Sequence, residues 1–322
     1  MNRIKVLIFL LASFLIQACD KIEKVDTPVF DAYLEKENYL VGDTVDIKFK
    51  GDPGFITLYT GILGNDYGFK EGRDLEMSYL MNFDTQVLDG WQKDQLSILV
   101  SKNFDGDYTI SGVNKATWFD ITSKFRMLKP QETRVYTTSG LGDITSAIFE
   151  DKQHEEVDVY FAVKHVVKNQ NLQSELDASK KNIASLNRVR GIAIQKVSPV
   201  SETILYNHAS FGWKLFSTTN KETDRATLFP TYIELRGNRL AANLSAETED
   251  WAVSGKMSFS RSVYAGPDWG KSIKSLNDKR LNNYKISYDK PGDYKITLVA
   301  FNSNSEGRRE IIKQLQIKIL PR

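Results

Sequence analysis

Short runs in which apolar and polar residues alternate recur along most of the chain. Clear examples are Val45–Phe49, Leu96–Val100 and Leu315–Ile319, with glycine, asparagine and aspartate recurring between such runs. This alternation places successive side chains on opposite faces and is typical of half-buried strands. One candidate helix, Asn171–Asn187, is predicted to be a short surface helix or an ordered insertion between strands. Many strands with few helices between them predict an all-β fold of sandwiches or jelly rolls, not an α/β enzyme fold.

The N-terminal segment has a different pattern. Arg3 and Lys5 precede the apolar run Val6–Ile16, which is shorter than the roughly 20 residues of a transmembrane helix and fits a secretory signal. The run ends in the sequence LIQAC at positions 15–19, which resembles the bacterial lipobox, where a small residue precedes a lipidated cysteine. The resemblance implies a signal peptide over residues 1–18 and acylation of Cys19, whose acyl chains would hold the protein on a membrane. The alternative is a core strand with a buried cysteine.

Composition narrows the class of protein. The chain has 322 residues with 43 basic and 41 acidic side chains, and a single cysteine. One cysteine excludes a disulfide within the chain and any zinc or iron–sulfur site that needs several cysteines. Arg3 and Lys5 account for the whole basic excess, so a chain that begins at Cys19 would be formally neutral. We therefore expect no nucleic-acid partner. The length suggests two domains, at about 150 residues per domain.

Two segments far apart in the sequence each look like half of one domain. Residues 29–72, after the polar tether at 19–28, contain an alternating strand behind a glycine-aspartate turn, but too few strands to bury a core alone. Residues 256–322 contain the Pro291-Gly292 turn followed by two strands. Both segments resemble parts of PKD-like or immunoglobulin-like sandwiches. We expect one sandwich built from both ends, with residues 73–255 inserted; a separate C-terminal sandwich is the alternative.

The inserted segment contains four strand-and-turn motifs, and the first segment contains two more: Leu96–Tyr108, Ala116–Thr122, Ser139–Ile144 and Val159–Lys164, with Ile56–Gly61 and Gly64–Tyr67. The order of the four inserted motifs resembles choice-of-anchor jelly rolls, which are relatives of galactose-binding domains. With the two motifs of the first segment, it is similar to the Bacteroidetes lipoprotein family called domain of unknown function 5017. The resemblance implies a surface or outer-membrane lipoprotein of the kind often linked to glycan uptake. It implies no catalytic residue.

The residues that most often carry catalysis have no recognisable pattern. His154, His165 and His208 lack metal-ligand spacing, and the chain has neither a nucleophile elbow nor a phosphate-binding glycine motif. Glycoside hydrolysis needs two carboxylates across a cleft, whereas acidic clusters such as Glu155-Glu156 and Glu247–Asp250 are typical of solvated loops. We therefore expect a protein that is not an enzyme.

Exposed aromatic rings are the candidates for sugar binding, because they can stack on the C–H faces of sugar rings. Trp91 follows Asp89-Gly90, and Trp269 lies in the turn-rich segment Tyr264–Gly270, so both settings favour exposure. Trp91, Trp269 and Tyr264 are the predicted glycan-binding residues. Burial in a core is the alternative for each tryptophan.

A calcium site is the one cofactor that the sequence suggests. Asn103, Asp105 and Asp107 alternate around Gly106, and their oxygens could converge on one ion. The EF-hand series is incomplete, because its twelfth position lacks glutamate. An Asp-Gly turn between strands is the alternative.

These observations favour a non-enzymatic protein of the outer membrane or cell surface, anchored by a lipid at Cys19, that binds an extracellular glycan. The glycan as ligand follows from the family resemblance. A structural or adhesive module that contacts another surface protein is the alternative. A glycoside hydrolase built on the jelly roll is the third possibility.

Overall fold

The alternating runs are strands in the computed structural model, which describes residues 24–130, 132–149, 155–171, 184–217, 222 and 224–322. In chain order the strands are β1 (Phe30–Tyr33), β2 (Asn38–Leu40), β3 (Val45–Gly51), β4 (Phe55–Tyr59), β5 (Arg73–Glu76), β6 (Ser78–Asp89), β7 (Leu96–Ser101), β8 (Phe119–Asp120), β9 (Thr137–Thr138), β10 (Gly142–Asp143), β11 (Glu156–Val167), β12 (Leu186–Val197), β13 (Glu202–Tyr206), β14 (Lys214–Ser217), β15 (Ala226–Leu228), β16 (Tyr232–Arg236), β17 (Thr248–Val253), β18 (Met257–Ser260), β19 (Ser262–Gly266), β20 (Lys271–Lys274), β21 (Asn283–Ile286), β22 (Gly292–Asn304) and β23 (Gly307–Leu320). Two short α-helices accompany them in the described part of the chain, α1 (Ile110–Lys115) and α2 (Thr145–Ile148). The predicted all-β sandwich class is confirmed.

The chain divides into two units, each with its own core. Of the described residues, unit 1 comprises 24–73 together with 265–322, and unit 2 comprises those between 74 and 264. Strands β5 and β19, in which the chain passes from one unit to the other, pair with each other.

Unit 1 is a sandwich of a three-stranded sheet, β1-β3-β21, and a five-stranded sheet, β2-β23-β22-β4-β20. Both sheets combine strands from the two ends of the chain, since β3 pairs with β21 and β4 with β22. Val45, Ile47 and Phe49 alternate inward on β3 and share one core with Leu298 and Ala300 of β22. Neither segment could bury these side chains without the other.

Unit 2 is a larger sandwich. Its seven-stranded sheet runs β10-β6-β12-β16-β15, with β13 and β9 pairing to β12 and β6, and its six-stranded sheet runs β14-β17-β11-β7-β8, with β18 pairing to β11. Tyr79, Met81 and Phe83 alternate inward along β6 and meet Val159 and Phe161 of β11 in the core. A period of two along both strands therefore builds this interior.

The boundaries of the units differ from the predicted segments. Residues 256–264, predicted to belong to the terminal sandwich, lie in unit 2. Met257 and Phe259 on β18 are buried in its core, and Val157 of β11 is the register partner of Phe259. The inserted segment therefore extends to Tyr264, because β18 completes the six-stranded sheet.

Two predictions fall wholly or partly outside the described residues. Cys19 and the signal peptide lie outside them, as do residues 172–183 of the predicted helix. At the end of that helix, Leu186 and Asn187 belong instead to β12, where they pair with Arg236 and Leu235 of β16. In the described part of the chain, no helix is both long and apolar enough to cross a bilayer.

Candidate functional site

Trp269 is the most exposed aromatic side chain among the described residues, with 75% of its surface accessible. Its main chain is held on both sides. The Trp269 N–H donates to Gly64 O at 3.1 Å, and Trp269 O accepts a hydrogen bond from Asn65 Nδ2. The indole therefore extends from a backbone that is fixed in place. We call residues 61–73 together with 268–270 the Trp269 platform; all lie in unit 1.

A largely buried ion pair between Arg73 and Asp268 holds the platform in place. Asp268 is 4% exposed and accepts two hydrogen bonds from Arg73, from Nε at 3.0 Å and from Nη2 at 2.5 Å. It also accepts from Asp66 N at 2.9 Å, while its own N–H donates to Phe69 O. The Arg73 guanidinium in turn lies 3.7 Å from the centroid of the Phe69 ring. The residue before Trp269 is thus fixed through both its side chain and its backbone.

Two glycines allow the platform to pack closely on unit 1. Gly61 has a φ of +82°, and a Cβ there would lie 2.9 Å from Lys295 N. A Cβ on Gly270 would lie 2.4 Å from Thr57 Cγ2 and 2.6 Å from the Tyr59 ring. The platform therefore follows strand β4 at a distance that only glycine permits.

The surface around Trp269 combines apolar and polar groups. Ile62, Leu63 and Phe69 of the platform are each about two-fifths exposed. The Lys70 ammonium donates to Tyr67 Oη, and this hydrogen bond raises the pKa of Lys70. The platform thus carries both exposed apolar groups and hydrogen-bonding groups, and these are the two kinds of group that contact a sugar ring, whose faces are apolar and whose edges carry hydroxyls.

The other two predicted aromatic residues lie in unit 2, so the three candidates do not belong to one unit. Tyr264 is 64% exposed in the middle of β19. Trp91 follows β6 and is half-buried, so its turn-rich sequence setting overstated its exposure. Among the three, Trp269 has the surroundings of a built binding surface.

The predicted calcium residues form a tight loop after β7. Asn103 Oδ1 accepts hydrogen bonds from Thr117 N at 2.8 Å and from Ser101 Oγ at 3.1 Å. Asp105 Oδ1 accepts from Asp107 N at 2.9 Å, which is an Asx turn. Asn103 Oδ1 and Asp105 Oδ1, two of the proposed calcium ligands, therefore accept hydrogen bonds within the loop and its surroundings. Calcium binding stays a prediction. In the described residues, no three His, Cys, Asp or Glu side chains form a metal-binding group.

A polar cluster inside the unit 2 sandwich was missed from the sequence. Asp250 on β17 is fully buried and accepts from His165 Nδ1 at 3.4 Å, Arg225 Nη2 at 3.0 Å and Ser217 Oγ. Burial alone would raise the pKa of Asp250, but these three donors together lower it below its usual value. The carboxylate is therefore charged inside the core.

The hydrogen bonds indicate which nitrogen of His165 carries the proton. Asn187 Nδ2 lies 3.3 Å from His165 Nε2 and also donates to Gln95 Oε1 at 3.2 Å. Nε2 is then the acceptor, so Nδ1 carries the hydrogen that faces Asp250; this tautomer is assigned from the network. Because Ser217 donates to Asp250 and not to His165, the three residues lack the hydrogen-bond order of a nucleophilic triad. The cluster therefore has a structural role inside the unit 2 sandwich, where its hydrogen bonds join Asp250 to His165, Arg225 and Ser217.

The sequence held a signal for this cluster. His165 lies two residues after the inward-facing Val163 on β11, and Asp250 lies two residues before the inward-facing Ala252 on β17. Each strand therefore carries a polar residue at a position where the alternation predicts an apolar one. The cluster Glu247–Asp250, predicted as a solvated loop, is divided: Glu247 is exposed and Asp250 is in the core. His165 is packed, His208 is also largely buried, and His154 lies outside the described residues.

Fold and site together define an all-β protein of two sandwich units with an exposed aromatic platform. A family model described as "Domain of unknown function (DUF5017)" matches residues 18–192, and since this is more than half of the chain, the protein belongs to that family. No curated protein matches the chain. The match begins at residue 18, ahead of β1, and ends within β12, so strands β13 to β23 lie beyond it.

Proposed function

We propose that this protein is a non-enzymatic, lipid-anchored carbohydrate-binding protein of the outer membrane or cell surface, and that the Trp269 platform contacts the glycan. The observation that carries the proposal is the 75% exposure of Trp269 on a backbone clamped by the Arg73–Asp268 pair. Covering a large exposed apolar ring removes its surface from water, which favours binding of a partner with an apolar face. A buried ion pair and two close-packed glycines beneath that ring give the surface a fixed shape.

The finer parts of the proposal come from the family resemblance and the N-terminal pattern. A PKD-like sandwich interrupted by an insertion is supported by the strands that unit 1 takes from both ends of the chain, and a jelly roll by the two sheets of unit 2. The LIQAC sequence at positions 15–19 supports cleavage before Cys19 and its acylation. A Bacteroidetes surface lipoprotein linked to glycan uptake fits all three features. One test of the anchor is palmitate labelling, which Cys19→Ala should abolish while the protein still accumulates.

Polysaccharide binding tests the ligand. Residues 20–322 without lipid are applied to a glycan array and then to native gels containing the polysaccharides that bind. Trp269→Ala should reduce retardation by at least tenfold in apparent affinity. Leu276→Ala, which removes another exposed apolar side chain of unit 1 (66% exposed), is the matched control and should bind normally. Unchanged binding by Trp269→Ala, or no bound glycan at all, contradicts the proposal. Release of reducing ends would instead support the hydrolase.

An adhesive role is the second candidate, and exposed apolar residues on β13 favour it. Val200 precedes this strand with 64% exposure, and Ile204 within it is 65% exposed. If no polysaccharide binds, and intact cells show a crosslinked complex that Ile204→Lys removes, the adhesive role replaces the carbohydrate-binding one.

A further inference from the structure

A cavity within unit 2 has the features of a ligand pocket. It has a volume of about 220 Å³ and lies between the two sheets, near the end of β6 and the beginnings of β7 and β12. Val87 and Asn187 line it from the seven-stranded sheet, and Leu96, Ser97 and Asp120 line it from the six-stranded sheet. Every described lining residue belongs to unit 2, whereas the Trp269 platform belongs to unit 1.

Two buried amides form the inner part of this pocket. Gln95 and Asn187 are 5% and 3% exposed, and Asn187 Nδ2 donates to Gln95 Oε1 at 3.2 Å. Gln95 Nε2 donates to Ser185 Oγ at 3.0 Å, and Asn187 Nδ2 also contacts His165. Asn187 is therefore oriented by His165 of the buried cluster, and Gln95 by Ser185 and Asn187, as a preorganised site requires.

The bonds made by Asn187 leave one atom for a ligand. Both side-chain contacts of this residue use Nδ2, so Oδ1 accepts no hydrogen bond among the described residues. A ligand hydroxyl could donate a hydrogen bond to this amide oxygen. Asn187, whose Nδ2 already has partners and whose Oδ1 has none among the described residues, is therefore suited to bind a polar ligand.

Carboxylates and apolar side chains complete the lining. Asp120 Oδ1 accepts from Thr122 N at 2.8 Å, which fixes that side chain, and Asp94 has a φ of +53°, the one positive φ of a non-glycine residue in the described chain. Lys129 is the single basic residue among the described lining, so the pocket is net acidic and disfavours anions. Met127 and Leu128 supply an apolar wall.

We infer that this pocket binds one neutral sugar unit. The acceptors of Asp120 and Asn187, held by the contacts above, and the exposed carboxylate of Asp94 suit a ring whose hydroxyls can donate, and the apolar wall suits its C–H face. The volume admits one ring and not a chain, so the pocket would hold a terminal sugar. This inference rests on the proposed carbohydrate-binding function and adds a second, end-recognising site with a preference for uncharged sugars.

Saturation-transfer NMR on residues 20–322 tests the inference with glucose, galactose, mannose, N-acetylglucosamine and glucuronate as probes. At least one neutral sugar should give a signal, and glucuronate should give none. Asp120→Asn keeps an oxygen for Thr122 N but loses the charged acceptor, and should weaken binding about tenfold. Asp143→Asn is the matched control, because Asp143 Oδ1 accepts from Thr145 N in the same geometry on the exposed surface of unit 2. It should bind as the wild type does.

The variant Trp269→Ala separates the two sites. It should lose polysaccharide retardation and keep the monosaccharide signal. If wild-type protein binds polysaccharide but no neutral monosaccharide, the pocket inference is wrong and the proposed function stands. Loss of the monosaccharide signal in Trp269→Ala, an unchanged signal in Asp120→Asn, or equal binding of glucuronate also overturns the inference. If no polysaccharide binds, the platform proposal fails, whatever the monosaccharides do.

Discussion

Arg73 and Asp268 form a two-bonded ion pair that is largely removed from water, with side chains 12% and 4% exposed. They are far apart in the sequence and come from the two segments that build unit 1. The pair links Arg73, the first residue of β5, to Asp268, the residue before Trp269. Removing one partner leaves the other side chain charged and buried. The resulting loss of folding free energy is larger than the stabilisation that the intact pair contributes.

Arg73→Ala should therefore lower the free energy of unfolding of unit 1 by about 3–5 kcal/mol. Arg73→Lys should recover part of the loss, because an ammonium keeps the charge but not the two-pronged geometry. Urea unfolding, followed for each unit by hydrogen exchange, measures both. Arg126→Ala breaks an exposed pair with Glu132 and is the control, with little change expected. Similar stabilities for Arg73→Ala and Arg126→Ala would show that the pair does not hold the platform.

The charged carboxylate of Asp250 should make the stability of unit 2 depend on acid pH. The pKa of Asp250 in the folded protein is lowered relative to the usual value of 3.8. The contribution of its charge to stability is therefore complete above pH 3.8 and is lost as the pH falls through the lowered pKa of the folded protein. Asp250→Ala leaves the Arg225 guanidinium, 1% exposed, without this partner and should cost about 3–5 kcal/mol at pH 7.

The difference between wild type and Asp250→Ala should then shrink as the pH falls below about 4. Urea unfolding at pH values from 7 to 2.5 measures it. Asp143→Asn, an exposed aspartate of the same unit, is the control and should show no comparable loss at pH 7. A difference between wild type and Asp250→Ala that stays constant down to the lowest pH would contradict the charged state assigned to Asp250.

Residues 18–192, the segment matched by the family model, should not fold alone. β3 and β4 would lack β21 and β22, and β11 would lack β17 and β18. Core residues such as Ile56 and Phe161 would be exposed to water. Circular dichroism and gel filtration should show an unfolded or aggregated chain, whereas residues 74–264, which contain all of unit 2, should fold. A cooperative unfolding transition in the 18–192 fragment would mean that the family domain folds in another way.

The strands could be predicted from the sequence because burial on one face imposes a period of two. Val45–Phe49 and Leu96–Val100 follow that period, and both are strands. The pattern is local, so it could not say that β18 completes a sheet in unit 2. That assignment depends on the pairing of Phe259 with Val157, which are far apart in the sequence.

The binding surface was only partly predictable. The turn-rich setting of Trp269 correctly indicated exposure, but the same signal at Trp91 did not, because burial depends on what packs against a turn. Arg73 carried no local sign that it would meet Asp268. The sequence predicts Asn187 at the end of a surface helix or ordered insertion, whereas its place in the unit 2 pocket follows from the pairing of β12 with β16.

Gly270→Ala tests whether the close approach under Trp269 fixes the platform. The added Cβ would lie 2.4 Å from Thr57 Cγ2 and 2.6 Å from Tyr59 Cε2, so the platform must move away from β4. No hydrogen-bonding side chain is lost, yet polysaccharide affinity should fall severalfold and the thermal midpoint of unit 1 should drop. Gly255→Ala is the matched control, since its Cβ would meet Phe211 O at an ordinary 3.5 Å. If Gly270→Ala binds polysaccharide as well as Gly255→Ala does, the position of the Trp269 backbone is not what selects the ligand.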